Sequence, residues 1–510
     1  MFLNKSSRIS AFTLLELLII IGILAIVGVI VMLIVNPAEM FKQSRDTRRM
    51  VDLKNIDSAV RLARTESIFM GNTNIVYISV PDPALSVNAT STCPNMGLPP
   101  LDPSWKYNCV SQNNLAKNNG TGWIPINFSS LGVGSPFASL PIDPENTTSS
   151  WRYYRYITDS KGKYIAVSGL YSDKYKPEAA KDGGGDSEKF EVGTNMSLWE
   201  ESKKYYGLVR QSCAGYTNCF TSLNQWESNY SGIPFGSCAQ GDLNCVDKIA
   251  VAKIDGAWTS ADTTAVAING WTTSVNNYIK IYTTATARHV GKWDTGKYRL
   301  EGSGQMLGIY NNFVNVEGIQ IKGSQSGWNT VKILAGVGSV RLISNIIRGS
   351  NTADSCVRVA WTNGVTVYAY NNVIYECFLG VYSYGPIGYY YNNTVYNTPQ
   401  AGFAANTVFI VAKNNIVQSS TNGYADGSFN PASDYNISSA AGDTTGGAHD
   451  KANATVSFVD ATNNDFRLAP TDTAAKDAGK NFLSDPNLSF NNDIEGQVRG
   501  PIWDIGADEL

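Results

Sequence analysis

The chain has 510 residues, with 40 Lys and Arg against 43 Asp and Glu and a net charge of −3, so the basic excess of a nucleic-acid binder is missing. Hydrophobic residues make up 43 %, enough to bury large cores and to exclude global disorder, over a length that suits roughly two to four folding units. Its two histidines, His289 and His449, lie far apart, which excludes a His-rich metal centre or a two-His zinc motif. Charged residues are only 16 %, and 46 Gly and 27 Tyr are prominent, a balance that suits loop-rich β structure.

From Leu17 to Val35 every residue is apolar or Gly. As a helix rising 1.5 Å per residue this run is about 28 Å long, enough to span a bilayer core. It is too long for an ordinary signal-peptide core, and no A-x-A-like site follows it. Met50, Leu53, Ile56, Val60, Ala63 and Ile68 recur at helical spacing, so a helix is expected to continue to about Met70, kinked or unwound at Pro37. One carboxylate, Glu16, stands at the start of the apolar run. An ionised group there is costly and usually marks a function.

The segment Ala11-Phe12-Thr13-Leu14-Leu15-Glu16-Leu17-Leu18, preceded by Lys5 and Arg8, resembles the cleavage and methylation motif of type IV pilins and type II secretion pseudopilins. The resemblance implies a leader over 1–11, removed by a prepilin peptidase between Ala11 and Phe12, with Phe12 methylated as the new first residue. It also implies a transmembrane stem helix over 12–70 that packs in a filament, where Glu16 pairs with the N-terminal amine of a neighbouring subunit. Ala11 stands where the family usually has Gly. Lys42, Arg45, Arg48 and Arg49 follow the apolar run and outnumber the cations before it, so a positive-inside count alone would hold the large domains in the cytoplasm. Cysteine usage argues for export. Eight cysteines, none in a CxxC pair, fit an oxidising, extracytoplasmic compartment. Their connectivity cannot be read from sequence, and sequential neighbours are the simplest pairing. Disulfides are expected at Cys93, Cys109, Cys213, Cys219, Cys238 and Cys245, with Cys93–Cys109 closing a loop.

Residues 71–205 turn to short β-prone runs between Pro, Gly and Asn. Trp151–Ile157 and Lys163–Leu170, joined by Thr158-Asp159-Ser160-Lys161-Gly162, read as a hairpin. A stem followed by a small antiparallel sheet resembles the head of pilins and pseudopilins. Lys181-Asp182-Gly183-Gly184-Gly185-Asp186 resembles a fragment of a calcium loop but lacks the EF-hand glutamate. A turn is expected there and no cofactor, with calcium the single candidate.

The rest of the chain, 206–510, is repetitive. Strand-like runs recur at Val314–Ile321, Val340–Ile347, Val365–Ile374, Gly388–Val395 and Phe409–Val417. Aligning Gly318, Asn345, Asn372, Asn393 and Asn415 as a common hinge gives a period of roughly 21 to 27 residues, that of a solenoid coil. Gly and Asn tolerate left-handed backbone angles at such a bend, and repeated Asn can stack as an amide ladder. The leucine framework of leucine-rich repeats is absent. The runs before it (Ala250–Ile254, Tyr278–Tyr282) and the closing stretch "FRLAPTDTAAKDAGKN … DIEGQVRGPIWDIGADEL" resemble secreted right-handed parallel β-helix proteins of the pectate-lyase type. The expected fold is mainly β: a pilin-like helical stem, a small antiparallel sheet, then a right-handed parallel β-helix.

Polysaccharide lyases and hydrolases share that fold, and their chemistry needs clustered acids. The candidates Glu317, Lys322, Arg348, Asp354, Arg358 and Glu376 do not stack in the coil alignment, nor do Asp504 and Asp508 read as more than turn and cap residues, so a catalytic site is not expected. Tyrosines cluster instead, and strand alternation must turn some outward. Tyr368, Tyr370, Tyr382, Tyr384, Tyr389 and Tyr391 are the candidate ligand contacts, since amphipathic aromatics suit sugar or protein surfaces. The expected function is a minor pilin or pseudopilin. It would pass through the cytoplasmic membrane with its C-terminal domains outside, assemble with other pilin or pseudopilin subunits, and display an adhesin or recognition module for a polysaccharide or surface protein. The competing expectation is a tethered carbohydrate-active enzyme.

Overall fold

The computed structural model describes residues 13–510 except 87–88, 95, 149–150, 325–326, 328, 351–353, 361–363, 385–386, 406–409 and 426–428, and only the backbone of 28–35. The chain divides into two compact units, 1–98 with 103–202, and 99–102 with 203–510.

The first unit opens with two helices, α1 (Leu14–Val35) and α2 (Pro37–Thr65). They break at Asn36, which is left-handed (φ 39°) and whose side chain accepts from Glu39 N–H, while Pro37 takes the first helical position. The break follows from chemistry: Pro lacks the N–H that a continuous helix needs, and Asn tolerates the left-handed angle. α2 stops at Thr65, short of the expected Met70. Ser67 turns left-handed (φ 55°), and Ile68 N–H returns to the Ala63 carbonyl, a Schellman-type ending. Leu53, Ile56, Ala59, Val60 and Ala63 form the buried stripe of α2 and pack with Trp123, Tyr154, Tyr156 and Tyr164.

That core is backed by strands β1 (Ile75–Ile78), β2 (Thr90–Ser91), β3 (Lys106–Val110), β4 (Arg155–Thr158), β5 (Tyr164–Gly169) and β6 (Lys189–Gly193), in spatial order β2-β3-β1-β4-β5-β6. β4 and β5 form the expected hairpin; Asp159 Oδ1 accepts from Lys161 N–H and Lys163 N–H in its turn. The sheet is mixed, not purely antiparallel, because β1 and β3 run parallel. The connection between them, through 79–105, is long enough to carry the chain back to its starting edge, which a tight turn cannot do. Arg49 lies buried inside this unit. Its Nε and Nη2 donate to Asp143 at 2.7 and 2.9 Å, Nη1 to Asp46 at 2.9 Å, and Nη2 also to Glu145 at 2.8 Å.

The second unit is built from long parallel sheets stacked as in a parallel β-helix: a nine-stranded sheet I and two seven-stranded sheets, II and III. Each coil from residue 314 to 425 contributes one strand to each; for example Val365–Tyr370 lies in sheet I, Val373–Tyr375 in II and Leu379–Ser383 in III. Before them, Ile249–Ile254 and Ile279–Thr283 belong to sheet I and Val266–Ile268 to sheet III. The core is a stack of inward side chains such as Ile281, Val316, Leu342, Val367 and Ala369. At the N-terminal end the short helix Leu223–Ser228 buries Leu223 and Trp226, and Trp226 stacks on Trp271.

The corner from sheet I to sheet II is a two-residue turn. Its first residue is left-handed: Gly318, Ser344, Asn371, Asn392, Asn414 and Tyr435 have φ between 50° and 71°. Its second residue points inward, and here an asparagine ladder forms. Asn345, Asn372, Asn393 and Asn415 each donate Nδ2 to the Oδ1 of the next asparagine, ending at Asn436, with separations of 27, 21, 22 and 21 residues. Asp450 Oδ1 closes the row on the Asn436 N–H. Gly318 therefore aligns with Ser344 and Asn371, not with Asn345. Ile319 occupies the ladder position, and its N–H donates to Asn345 Oδ1.

Four disulfides tie the chain: Cys93–Cys109 in the first unit, and Cys213–Cys219, Cys238–Cys245 and Cys356–Cys377 in the second. The last lies in the β-helix core, and all four join sequential neighbours, the simplest pairing.

Candidate functional site

The outer face of sheet I carries the tyrosine column. Parallel register aligns Lys280, Asn315, Arg341, Tyr368, Tyr389 and Val411 in successive coils. With coils stacked at the strand spacing of about 4.8 Å, planar side chains in one column are held face to face. The Tyr368 and Tyr389 rings stack with centroids 5.3 Å apart and 12° between planes, and the Arg341 guanidinium lies 4.5 Å from the Tyr368 centroid. Arg341, Tyr368 and Tyr389 thus make a half-exposed strip of one cation and two phenols.

The neighbouring column aligns Glu317, Ile343, Tyr370, Tyr391 and Lys413. It is covered by the C-terminal segment: Tyr370 stacks on Phe490 at 4.6 Å, and Tyr391 meets Phe482 at 4.7 Å in a cluster with Leu488 and Trp503. Burial pushes the Tyr370 phenol up to about 12 and raises that of Tyr391 further. These two rings are structural. Tyr382 and Tyr384 stand on another face altogether, the outside of sheet III, with hydroxyls in contact and Arg358 about 5 Å from each ring (5.3 and 5.0 Å). The six candidate tyrosines therefore divide into a half-exposed pair on sheet I at the edge of the covering cluster, a covered pair beside it, and a separate pair on sheet III. Neither Arg341 nor the covering residues Phe482, Phe490 and Trp503 was read from sequence. Arg341 is legible in hindsight, because Val340-Arg341-Leu342 alternates and puts it outward in register with Tyr368.

The charged candidates do not converge. Glu317 on sheet I pairs with Lys280 and Arg288 at 3.4 and 3.2 Å. Lys322 and Arg299 hold Glu301 on sheet II, Arg348 holds Glu376 at 2.7 Å, and Asp354 pairs with Arg358 by sheet III. Each acid is neutralised by a cation of its own, the arrangement of surface ion pairs and not of a shared acid–base site. In the first unit, the two acids of the candidate calcium fragment are engaged by the chain itself. Asp182 accepts from Gly184 N–H and Glu191 N–H, and Asp186 from Glu188 N–H and Trp199 Nε1–H.

On the stem, Ala11 and Phe12 lie outside the described residues. Thr13 caps α1 in a reciprocal box: its hydroxyl accepts from Glu16 N–H at 3.2 Å, and Glu16 Oε2 accepts from Thr13 N–H and Oγ1–H, both at 2.9 Å. Every large apolar side chain described on α1, from Leu14 to Val27, is exposed. Among the described residues no helix is long and apolar enough to cross a membrane. The side chains of 28–35, much of the apolar run, lie outside them. No protein-family profile matches this chain, and no curated protein does.

Proposed function

We propose that the chain is a pilin-like subunit, a minor pilin or pseudopilin, that carries a right-handed β-helix as an extracellular recognition module. The observation that carries the reading is the stem: an apolar helix whose described side chains find no cover within its own unit. Such a surface requires lipid or other apolar helices around it. A cytoplasmic membrane before assembly and neighbouring stems afterwards supply both in turn. Glu16 sits in the first turn of that helix, where a carboxylate can answer the N-terminal amine of an adjacent subunit once the Thr13 contacts are exchanged.

The cysteines argue for export over the positive-inside count of Lys42, Arg45, Arg48 and Arg49. Lys42 faces Glu39 and Arg48 faces Asp52 along α2, and Arg45 and Arg49 face Glu145 of the head. Four disulfides favour the same oxidising side. The strip of Arg341, Tyr368 and Tyr389 is the recognition surface this reading assigns, suited to the apolar face of a sugar ring or to a protein surface.

The test is coexpression of the full chain with a prepilin peptidase and mass spectrometry of the product. A chain beginning at N-methylated Phe12 is expected. A chain still carrying residues 1–11 would remove the filament half of the proposal.

A further inference from the structure

The C-terminal segment brings three carboxylates to one place. Asp493 and Glu495 stand on one leg of its closing loop and Asp508 on the other, the legs joined by Ile494 N–H donating to the Ala507 carbonyl at 2.9 Å. One carboxylate oxygen from each of Asp493, Glu495 and Asp508 lies within 4.8 Å of the other two. Asp493 is fully buried and Asp508 nearly so. Asp493 Oδ1 accepts from Gln497 N–H and Asp508 Oδ2 from Leu468 N–H. Glu495 accepts from Gln497 Nε2 and, at 3.5 Å, from Arg467. Asp493 Oδ2 is buried with no hydrogen-bond partner.

The nearby cations are otherwise committed. Arg467 gives its Nε and Nη2 to Asp465, and Arg499 donates to Glu509, Asn371 and the carbonyls of 506 and 507. A buried carboxylate oxygen left without a donor is rare in folded proteins, and here it stands beside two further acids. A cation answers both the missing partner and the mutual repulsion.

We propose that Asp493, Glu495 and Asp508 hold a calcium ion that fastens the C-terminal segment to the corner of the β-helix. Three carboxylate oxygens gathered from two chain legs suit calcium, which accepts irregular oxygen shells at about 2.3–2.6 Å, better than magnesium, which demands near-ideal octahedral geometry at about 2.1 Å. An all-carboxylate donor set also selects a hard cation over zinc or copper. Water completes the shell. The ion stands where three parts of the unit meet: Ser344 Oγ donates to the Asp493 carbonyl, Asn371 Nδ2 to the Asn492 carbonyl, and the N–H of Leu468, at the end of the strand Asp465–Leu468, to Asp508. The inference is independent of the stem and of the tyrosine strip.

The experiment is equilibrium dialysis of the full chain, stripped with a chelator, against calcium alone, beside Asp493→Asn and Glu495→Gln. Both variants are expected to bind one calcium fewer than the parent. Calcium is expected to slow hydrogen exchange across 490–510 in the parent and not in the variants. Equal stoichiometry in parent and variants, or no calcium bound by the parent at millimolar concentration, overturns the proposal. Loss of exchange protection at the asparagine-ladder amides in calcium-free buffer identifies a variant that has misfolded. Glu495 is only half-buried, so Glu495→Gln keeps the test decisive if Asp493→Asn is lost.

Discussion

Asn345 and Asn372 meet across adjacent coils: one Oδ1 of Asn372 accepts both the Asn345 backbone N–H at 2.9 Å and its Nδ2 at 3.1 Å. The Asn372 amide in turn donates to the Leu342 carbonyl and to Asn393. A single side chain therefore satisfies two buried backbone groups of the preceding coil and joins the asparagine of the next.

Asn372→Ala strands those groups inside the core. At about 1–3 kcal/mol for each buried unsatisfied group, the expected loss is about 3–5 kcal/mol. Asn315→Ala, on the outer face of sheet I, should stay within about 0.5 kcal/mol. Denaturant midpoints of the two variants measure the difference, and equal midpoints would show that the ladder is ornamental.

Tyr370 and Tyr368 lie two residues apart on the same strand and predict opposite phenotypes. Tyr370→Ala opens a cavity under Phe490 and should cost about 3–5 kcal/mol. Tyr368→Ala removes one ring of the half-exposed stack and should cost about 1 kcal/mol, while weakening ligand capture about tenfold or more. Thermal unfolding beside a glycan and surface-protein binding screen reads both.

Arg49 is the single cation among Asp46, Asp143 and Glu145 that is itself fully buried. Arg49→Met leaves buried carboxylates uncompensated, with an expected loss of about 3–5 kcal/mol. Arg49→Lys keeps the charge but not the two-pronged contact with Asp143, so it should recover only part of that stability. Urea unfolding of the two variants decides it; a Lys variant as stable as the parent would show that charge alone suffices.

His289 is held as a neutral ring. Its Nε2–H donates to the Ser344 carbonyl at 3.0 Å and its Nδ1 accepts from Gly291 N–H at 3.3 Å. Burial, helped by Arg288, lowers its pKa to about 3. The unfolded chain, with a His pKa of about 6.5, binds the proton more readily. The contribution is therefore intact above about pH 6.5 and declines as pH falls towards 3, by up to about 1.4 kcal/mol per pH unit. His289→Gln should flatten the stability profile between about pH 4.5 and 6.5, followed by chemical denaturation at each pH. An unchanged slope would assign the acid sensitivity to other groups.

The repeat was legible because Asn-Asn pairs recur between apolar alternations, and the alternation alone tells inward from outward residues. Its register was less so. Gly318 and Asn345 look equivalent as bend residues, yet one supplies the left-handed angle and the other an inward amide, positions that differ by one residue. The tyrosine face was half legible for a different reason. Strand period turns Tyr370 outward, but what covers it comes from Phe490, 120 residues later by sequence number, and no local pattern announces that return. Glu317, Asp354 and Glu376 were separable by coil position alone. The acidic group at Asp493, Glu495 and Asp508 was not, since it depends on two legs of a loop closing.

Solenoids are ordinarily held by contacts between adjacent repeats alone, so they fray from their ends. The C-terminal segment works against that. Its carbonyls and side chains reach Asn414 through Lys480, Asn392 through Asp504, Asn371 through Asn492 and Ser344 through Asp493. Peeling the last coil away thus means releasing corners several repeats further back. The coils from 338 to 417 should open in native-state hydrogen exchange as one cooperative block, with no graded loss of protection towards the chain end.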